Sequence, residues 1–423
     1  MFRTLRLLLA IVLLSISSAA VGQDGPAVKK DLVWSQPESE ISSPRFSFDG
    51  NFVVLVTRIH WPDGAEAEDL PESFFKGLEA RKAKDPRFAD PVVKLVDLSG
   101  RSVCEVRYGT NPSVSPDNKK IAFSRQKKPI TGLRSLADTL AGNDIQTFDC
   151  EGRQTLTVAE PNTGYFDDPV FLSDGESIVY TTNEATNGAM SGPVGIERVE
   201  LATGHRDPLL TKETTHAVSC DSVQNKSGFQ AFMCAQRVKL SSSFSNLVER
   251  VEFSDDKVIV LQARPIPSAG DMYLAGKYDL ELMAVFPVRT PLLSLGQFET
   301  MKLRQVSFQA LSEGRLMILS GYWKAFSLDS KTWLAQTGPQ NGVPRSFYSP
   351  SGEYYVTAEP LDEPDHFALI RAADGEKMFV SPVVDGIYGI AWSRDSRRFA
   401  AVTLPKGRTG AAYREELTVY SLH

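Results

Sequence analysis

The stretch SPRFSFDGNFVVLVTR, Ser43 to Arg58, decides the fold, because the chain carries five versions of it. The others are NPSVSPDNKKIAFSRQ from Asn111, DPVFLSDGESIVYTTN from Asp168, PRSFYSPSGEYYVTAE from Pro344 and GIAWSRDSRRFAAVTL from Gly389. Each opens near a Pro or Gly, passes through a short apolar strand and a Ser-x-(Asp/Ser)-polar turn, and ends in a β-rich strand. In the first copy Asp49 caps its own backbone and Gly50 tolerates positive φ, the chemistry of a tight turn. The run Phe52, Val53, Val54, Leu55, Val56 suits a strand buried on both faces. A unit of this kind cannot bury its apolar face alone and has to stack on neighbours.

A second hairpin follows the first. It recurs as Val92 to Arg107, Asp144 to Val158, Gly195 to Thr211 and His366 to Val380, each with a Gly-bearing turn or its equivalent between two strands. Two hairpins in series make a four-stranded antiparallel blade. The expected fold is therefore all-β, a single β-propeller over residues 23–423. Weaker copies run from His216 to Gln236, from Tyr273 to Pro287 and from Val306 to Gly321. Counting all of them gives eight blades as the preferred number, with seven the alternative. The last unit offers only three strands before His423, while Asp31 to Gln36 is a lone strand ahead of the first full unit. The N-terminal strand is expected to complete the last blade, which leaves only short, protected edges.

The Ser115-Pro116-Asp117 turn with its following strand, and the Asp-Ile-x-x-x-Asp-x-x-Gly stretch from Asp144 to Gly152, resemble the TolB-like propeller repeat, a relative of the WD-type repeat. The resemblance covers most of residues 40–210 and 340–423. It implies bacterial envelope proteins that bind other proteins, or propeller domains attached to peptidases. The separate N-terminal domain of TolB itself is not expected in this chain.

Residues 1–22 have the pattern of a signal peptide: Arg3 and Arg6, an apolar core from Leu7 to Leu14, and small residues from Ser17 to Gly22. The core is short for a transmembrane helix, so a periplasmic or secreted mature chain with no transmembrane segment is expected, an uncleaved anchor being the alternative. The formal charge is −6 at pH 7, and losing Arg3 and Arg6 makes the mature chain more acidic. That balance excludes nonspecific nucleic-acid binding, which requires a basic stripe. In an exported chain Cys104, Cys150, Cys220 and Cys234 suggest disulfides. Cys220 and Cys234 flank an expected turn at Asn225 to Gly228, and Cys104 and Cys150 fall toward one rim of adjacent blades. The expected pairs are 220–234 and 104–150, and four buried free thiols are the alternative.

Long connections are expected between the second and third strands of the blades: Ile59 to Pro91, Gln126 to Asn143, Asn183 to Val194 and Pro405 to Glu415. They would all leave one face of the disc. The insertion at 59–91 is expected to be partly helical over LPESFFKGLEARKAKDP, Leu70 to Pro86. Its Phe74, Phe75 and Leu78 form an apolar patch that either docks on the propeller or meets a partner, and Trp61 is equally two-sided. The expected partner surface comprises Trp61, Phe74, Phe75, Leu78, Lys127, Lys128, Arg134, Arg408 and Tyr413.

Catalytic chemistry has no motif to rest on. The chain has no G-x-S-x-G nucleophile elbow, and His60, His205, His216, His366 and His423 lack metal-ligand spacing. Asp49, Asp117, Asp174 and Asp395 recur at equivalent turns on different blades, which suits turn capping and not a shared ion. No catalytic residue, metal or cofactor is expected. The sequence thus suggests a non-catalytic scaffold for a protein or peptide of the cell envelope. The alternatives are an enzyme with a channel-mouth site, a hydrolase or lyase, and a small-ligand or glycan sensor.

Overall fold

The strands that the repeats predict assemble into seven four-stranded antiparallel sheets in a computed structural model. It describes residues 27–37, 39–59, 80, 90–127, 142–162, 164–186, 189–211, 247–254, 257–265, 277–299, 306–320, 322–337, 346–359, 365–408 and 413–423. Ahead of the first full blade lies β1 (Val28–Ser35). Blade one is β2 (Ser39–Phe46), β3 (Phe52–Ile59), β4 (Val92–Asp97) and β5 (Ser102–Arg107). Blade two is β6 (Gly109–Val114), β7 (Lys120–Arg125), β8 (Asp144–Asp149) and β9 (Gln154–Ala159). Blade three is β10 (Tyr165–Phe171), β11 (Ser177–Thr186), β12 (Ala189–Glu200) and β13 (Arg206–Leu210). Blade four is β14 (Leu247–Ser254), β15 (Lys257–Pro265), β16 (Lys277–Phe286) and β17 (Thr290–Glu299). Blade five is β18 (Val306–Leu311), β19 (Arg315–Ser320), β20 (Tyr322–Ser327) and β21 (Thr332–Thr337). Blade six is β22 (Ser346–Tyr348), β23 (Tyr354–Glu359), β24 (His366–Arg371) and β25 (Lys377–Val380). Blade seven is β26 (Val384–Trp392), β27 (Arg398–Pro405) and β28 (Glu416–Leu422), completed on its outer side by β1.

The apolar runs are explained by what each strand faces. In β3, Val53 and Leu55 pack toward Ala400, Val402, Leu417 and Val419 of blade seven. The alternate residues Val54 and Val56 pack toward Val114, Ile121 and Phe123 of blade two. Side chains two apart share a face, so a strand sandwiched between two blades must be apolar at every position. β15, β19 and β27 divide their side chains between two neighbours in the same way. A hydrophobic cluster lies at each of the seven interfaces between neighbouring blades, including that of blade seven with blade one. Each such Val, Leu or Ile is worth roughly 1.5–3 kcal/mol of burial.

Closure follows the expected device. β1 pairs antiparallel with β28, from Val28 opposite Leu422 to Ser35 opposite Glu416. Ala27 and His423 add a reciprocal backbone pair at 2.9 and 3.0 Å.

The preferred count of eight is corrected to seven. Tyr273 to Pro287 supplies no blade of its own; its residues 277–286 are β16, the third strand of blade four. The first hairpin of that blade is β14–β15, paired as far as Ser254 opposite Lys257, and the sequence between them lacks the Ser-x-Asp-Gly signature. The weak copy at 216–236 lies outside the described residues. The Asn183 to Val194 connection is corrected too, since β11 and β12 extend through it to Thr186 and from Ala189. The link from blade three to blade four, between β13 and β14, spans residues 211–246, all but the first of them outside the described residues. Strands alternate in direction, so that link and the long second-to-third connections still leave the same face.

The opposite face is made of short turns joined from blade to blade. In blade one the Ser47 hydroxyl donates to Asp49 at 2.7 Å, and the Gly50 amide, at φ 70°, donates to the Ser47 carbonyl at 3.0 Å. Asp117, Asp174 and Asp395 accept from their own turns likewise. Asn118 of blade two donates to Asp49 at 2.9 Å, and Arg398 of blade seven donates to the Gly50 carbonyl at 3.1 Å. Ser312 reaches the Pro350 carbonyl at 2.7 Å, and Ser351 reaches Ser396 at 2.8 Å. The recurrent aspartates are turn caps, and this face is committed to holding the ring.

Candidate functional site at the channel wall

The innermost strands β2, β6 and β10 share a local device. Ser43, Asn111 and Asp168 each precede a proline and adopt φ of 51°, 47° and 51°. The pairing register slips between Ser42 and Arg45, between Thr110 and Ser113, and between Asp167 and Val170. A residue before proline is barred from the right-handed helical region, and a bulge re-aims the side chains beside it. Short polar residues are among those that tolerate the left-handed region.

The bulges bring polar groups of three blades together. Ser43 Oγ donates to Asn111 Oδ1 at 3.0 Å, and Asn111 Nδ2 donates to Asp167 Oδ1 at 2.9 Å. Arg45 of blade one pairs with Asp168 of blade three. The residue Asp167 keeps some exposed surface, but its carboxylate is enclosed by protein. Burial raises its pKa, and the neighbouring Asp168 adds to that, against the opposing pull of Asn111 and Arg45. Arg58, at the end of β3, lies in the field of Glu40, Asp167 and Asp90. Burial lowers its pKa further than those carboxylates raise it.

Between blades seven and one, a relay fixes two phenols. The Tyr413 hydroxyl donates to Glu415 Oε1, and Glu415 Oε2 accepts the Ile41 amide. Tyr388 is hydrogen-bonded to Tyr413. Burial raises the Tyr413 pKa, and Glu415 raises it further.

Between blades six and seven lies a cavity of about 260 Å³, lined by Phe347, Ala358, Phe367, Ile387, Tyr388, Gly389 and Ile390. Tyr388, 53% exposed, stands at its edge. Gly389 is explained by blade one: a Cβ there would sit 3.3 Å from Pro44 Cδ and Cγ.

The expected partner surface is only partly described. Arg408 is exposed on the β27–β28 connection. Lys127 bridges Asp144 at 3.2 Å and Glu160 at 2.7 Å, so its charge is already matched within the chain. Burial lowers the Lys127 pKa, but these two carboxylates raise it further. Tyr413 is buried and belongs to the relay. Trp61, Phe74, Phe75, Leu78, Lys128 and Arg134 lie outside the described residues, as do Cys220 and Cys234. Cys104 and Cys150 form a disulfide with Cα atoms 5.5 Å apart, joining blade one to blade two. Among the described residues no cluster of three His, Cys, Asp or Glu is placed to hold a metal ion. The bulge network escaped sequence reading, although the Ser-Pro, Asn-Pro and Asp-Pro dipeptides in equivalent positions were its visible signal.

Two solved structures are similar to this chain. One is the β-propeller domain of the trilobed protease from Pyrococcus furiosus, at 14% identity over 90% of this chain and 93% of that one, with a TM-score of 0.49. The other is the β-propeller domain of Cps50 (Swd1) from Myceliophteria thermophila, at 9% identity over 94% and 100%, with a TM-score of 0.52. The likeness is one of fold. No family model matches the chain, and no curated protein matches it in sequence.

Proposed function

We propose that this propeller is an exported, non-catalytic scaffold, of the TolB-like kind found in the bacterial envelope, that binds a protein or peptide through its loop-bearing face. The observation that carries this reading is the inequality of the two faces. On one, the turns between strands are spent on each other, as in Asn118 to Asp49 and Ser351 to Ser396. On the other, β3, β7, β13, β15 and β27 end, and residues 60–91, 126–143, 211–246, 266–276 and 406–415 separate them from the strands that follow. Binding residues tend to sit on loops held by a rigid scaffold, and a seven-bladed ring is such a scaffold.

Crosslinking in intact periplasm, comparing the wild type with a chain lacking residues 62–90, tests the reading. The deletion is expected to remove at least one crosslinked partner while the chain remains folded and exported. Identical partner profiles would overturn the role of this face. Fractionation by osmotic shock checks the location: full-length chain retained in the cytoplasm contradicts export.

A further inference from the structure

We infer that the outer edge of blade two, strand β9, is the interface of a weak two-fold dimer of this chain, in which β9 of one copy pairs antiparallel with β9 of the other. The rim of a blade belongs to neither face of the disc, so this contact is independent of the loop-face reading.

Each of the seven sheets ends in an outer strand whose far edge is unpaired among the described residues. Such an edge invites another strand, and proteins block it with charge, proline, bulges or shortness. Six of the seven carry a block of this kind. β1 has Lys29, Lys30 and Asp31, β5 has Glu105 and Arg107, and β13 has Arg206, Asp207 and Pro208. β17 has Pro291 and two register slips, β21 pairs with β20 through a slip, and β25 is four residues long with Lys377. β9 differs. It reads QTLTVA, with no charge, proline or glycine, and runs beside β8 without a slip from Gln154 to Thr157. All four of those residues are exposed, Leu156 at 59%.

The ends of β9 select its partner. Arg153 precedes the strand and Glu160 follows it, both exposed. Opposed residues of an antiparallel pair share a face and a hydrogen-bonding direction, so a strand pairing with its own copy is centred on a residue. Centred on Leu156, the pairing sets Leu156 against its copy, Thr155 against Thr157 and Gln154 against Val158. Arg153 then falls beside Glu160 of the other copy, at both ends of the pair. Glu160 already holds Lys127 at 2.7 Å, and Lys127 also holds Asp144 at 3.2 Å. Two carboxylates on one ammonium leave a net negative charge, which Arg153 of the other copy balances.

The middle of the strand is matched as well. The Thr157 hydroxyl accepts from Gln146 Nε2 at 3.0 Å and keeps its own proton to donate across the pair, where Thr155 of the other copy stands. The edge is also held in place, since the Cys104–Cys150 disulfide ties the β8–β9 turn to blade one. A two-fold contact of this kind closes after two chains. Six residues of strand are few against the roughly 1,200–2,000 Å² of a stable interface, so the dimer is weak and reversible.

Sedimentation equilibrium of the full mature chain, from the low micromolar to the submillimolar range, tests this. The average mass is expected to rise reversibly from monomer to dimer and to stop there. Leu156→Lys puts two like charges on the axis and should hold the chain at monomer mass, with circular dichroism and Tm unchanged. Arg153→Glu should weaken the dimer about 3- to 10-fold, as the loss and reversal of exposed ion pairs implies. The charge swap R153E/E160R should recover most of that loss. A wild type that stays monomeric over the whole range overturns the inference, as does a dimer that L156K leaves intact. Mass rising past the dimer contradicts a closed contact and overturns it too. Should L156K not fold, a dimer that R153E leaves unweakened overturns it.

Discussion

The channel wall has two unlike sectors. In blades one to three it is polar and cross-linked, with Ser43, Arg45, Asn111, Asp167 and Asp168 joined from blade to blade. In blades six and seven it is aromatic and hollow, with the cavity backed by Phe367, Phe399 and Tyr420. Both sectors derive from the same repeat, and the difference arises at one point in it. Where the unit opens with Ser-Pro, Asn-Pro or Asp-Pro, the inner strand bulges and turns polar groups toward its neighbours. At Gly389 of blade seven the inner strand also slips register, between Ile387 and Gly389, but there a bare backbone faces Pro44. Packing holds every seam of the ring, and along the inner strands of blades one to three directional bonds add to it.

The largest effect expected from breaking this contrast is in the aromatic sector. Phe399 is fully buried between blades six and seven and contacts Phe367, Trp392 and Tyr420. Phe399→Ala should destabilise the chain by about 3–5 kcal/mol, because the braced surroundings cannot collapse onto the void. Equilibrium urea unfolding measures it. A loss under about 1 kcal/mol would mean that this sector yields.

The polar sector has a covalent support that the aromatic sector lacks among the described residues. Cys104–Cys150 closes a sequence separation of 46 residues between blades one and two. Replacing both cysteines by serine should cost about 2–4 kcal/mol, chiefly by freeing the unfolded chain. The double variant should also lose the response of the wild type to dithiothreitol in a thermal melt. A melt of the wild type that dithiothreitol does not move would remove the staple from this account.

What was legible in the sequence was local. The turn of Ser47, Asp49 and Gly50 is specified within four residues, and the two-sided burial of β3 follows from an unbroken apolar run. The closing of blade seven by β1 was legible because counting strands left one over at each end. Blade four is obscure in sequence because the link between β14 and β15 lacks the signature, so the apolar run of its third strand, Lys277–Phe286, reads as a unit of its own. The candidate site was barely legible. Asn111 meets Asp167 only through the register of two different blades, and no local pattern encodes that. In sequence Tyr413 lies beside basic residues and reads as a surface contact, whereas its place beside Glu415 depends on Ile41 of blade one, far away in the chain.

The smallest effect, and the one that sharpens the contrast most, concerns the charge of Asp167. Burial raises its folded-state pKa above the ordinary carboxylate value of 3.8. A group with a raised folded pKa contributes its stability in full below the unfolded pKa and loses it as pH rises through the folded value. On this account the wild type gives up stability from about pH 4 upward. Asp167→Asn keeps an oxygen to accept from Asn111 Nδ2 and cannot ionise. The variant should match the wild type in acid and gain on it as pH rises, measured by urea unfolding at a series of pH values. If instead Asp167 is held ionised by Arg45 and Arg58, the variant falls behind the wild type as pH rises. The sign of that slope decides between a polar sector built on shared protons and one built on paired charges.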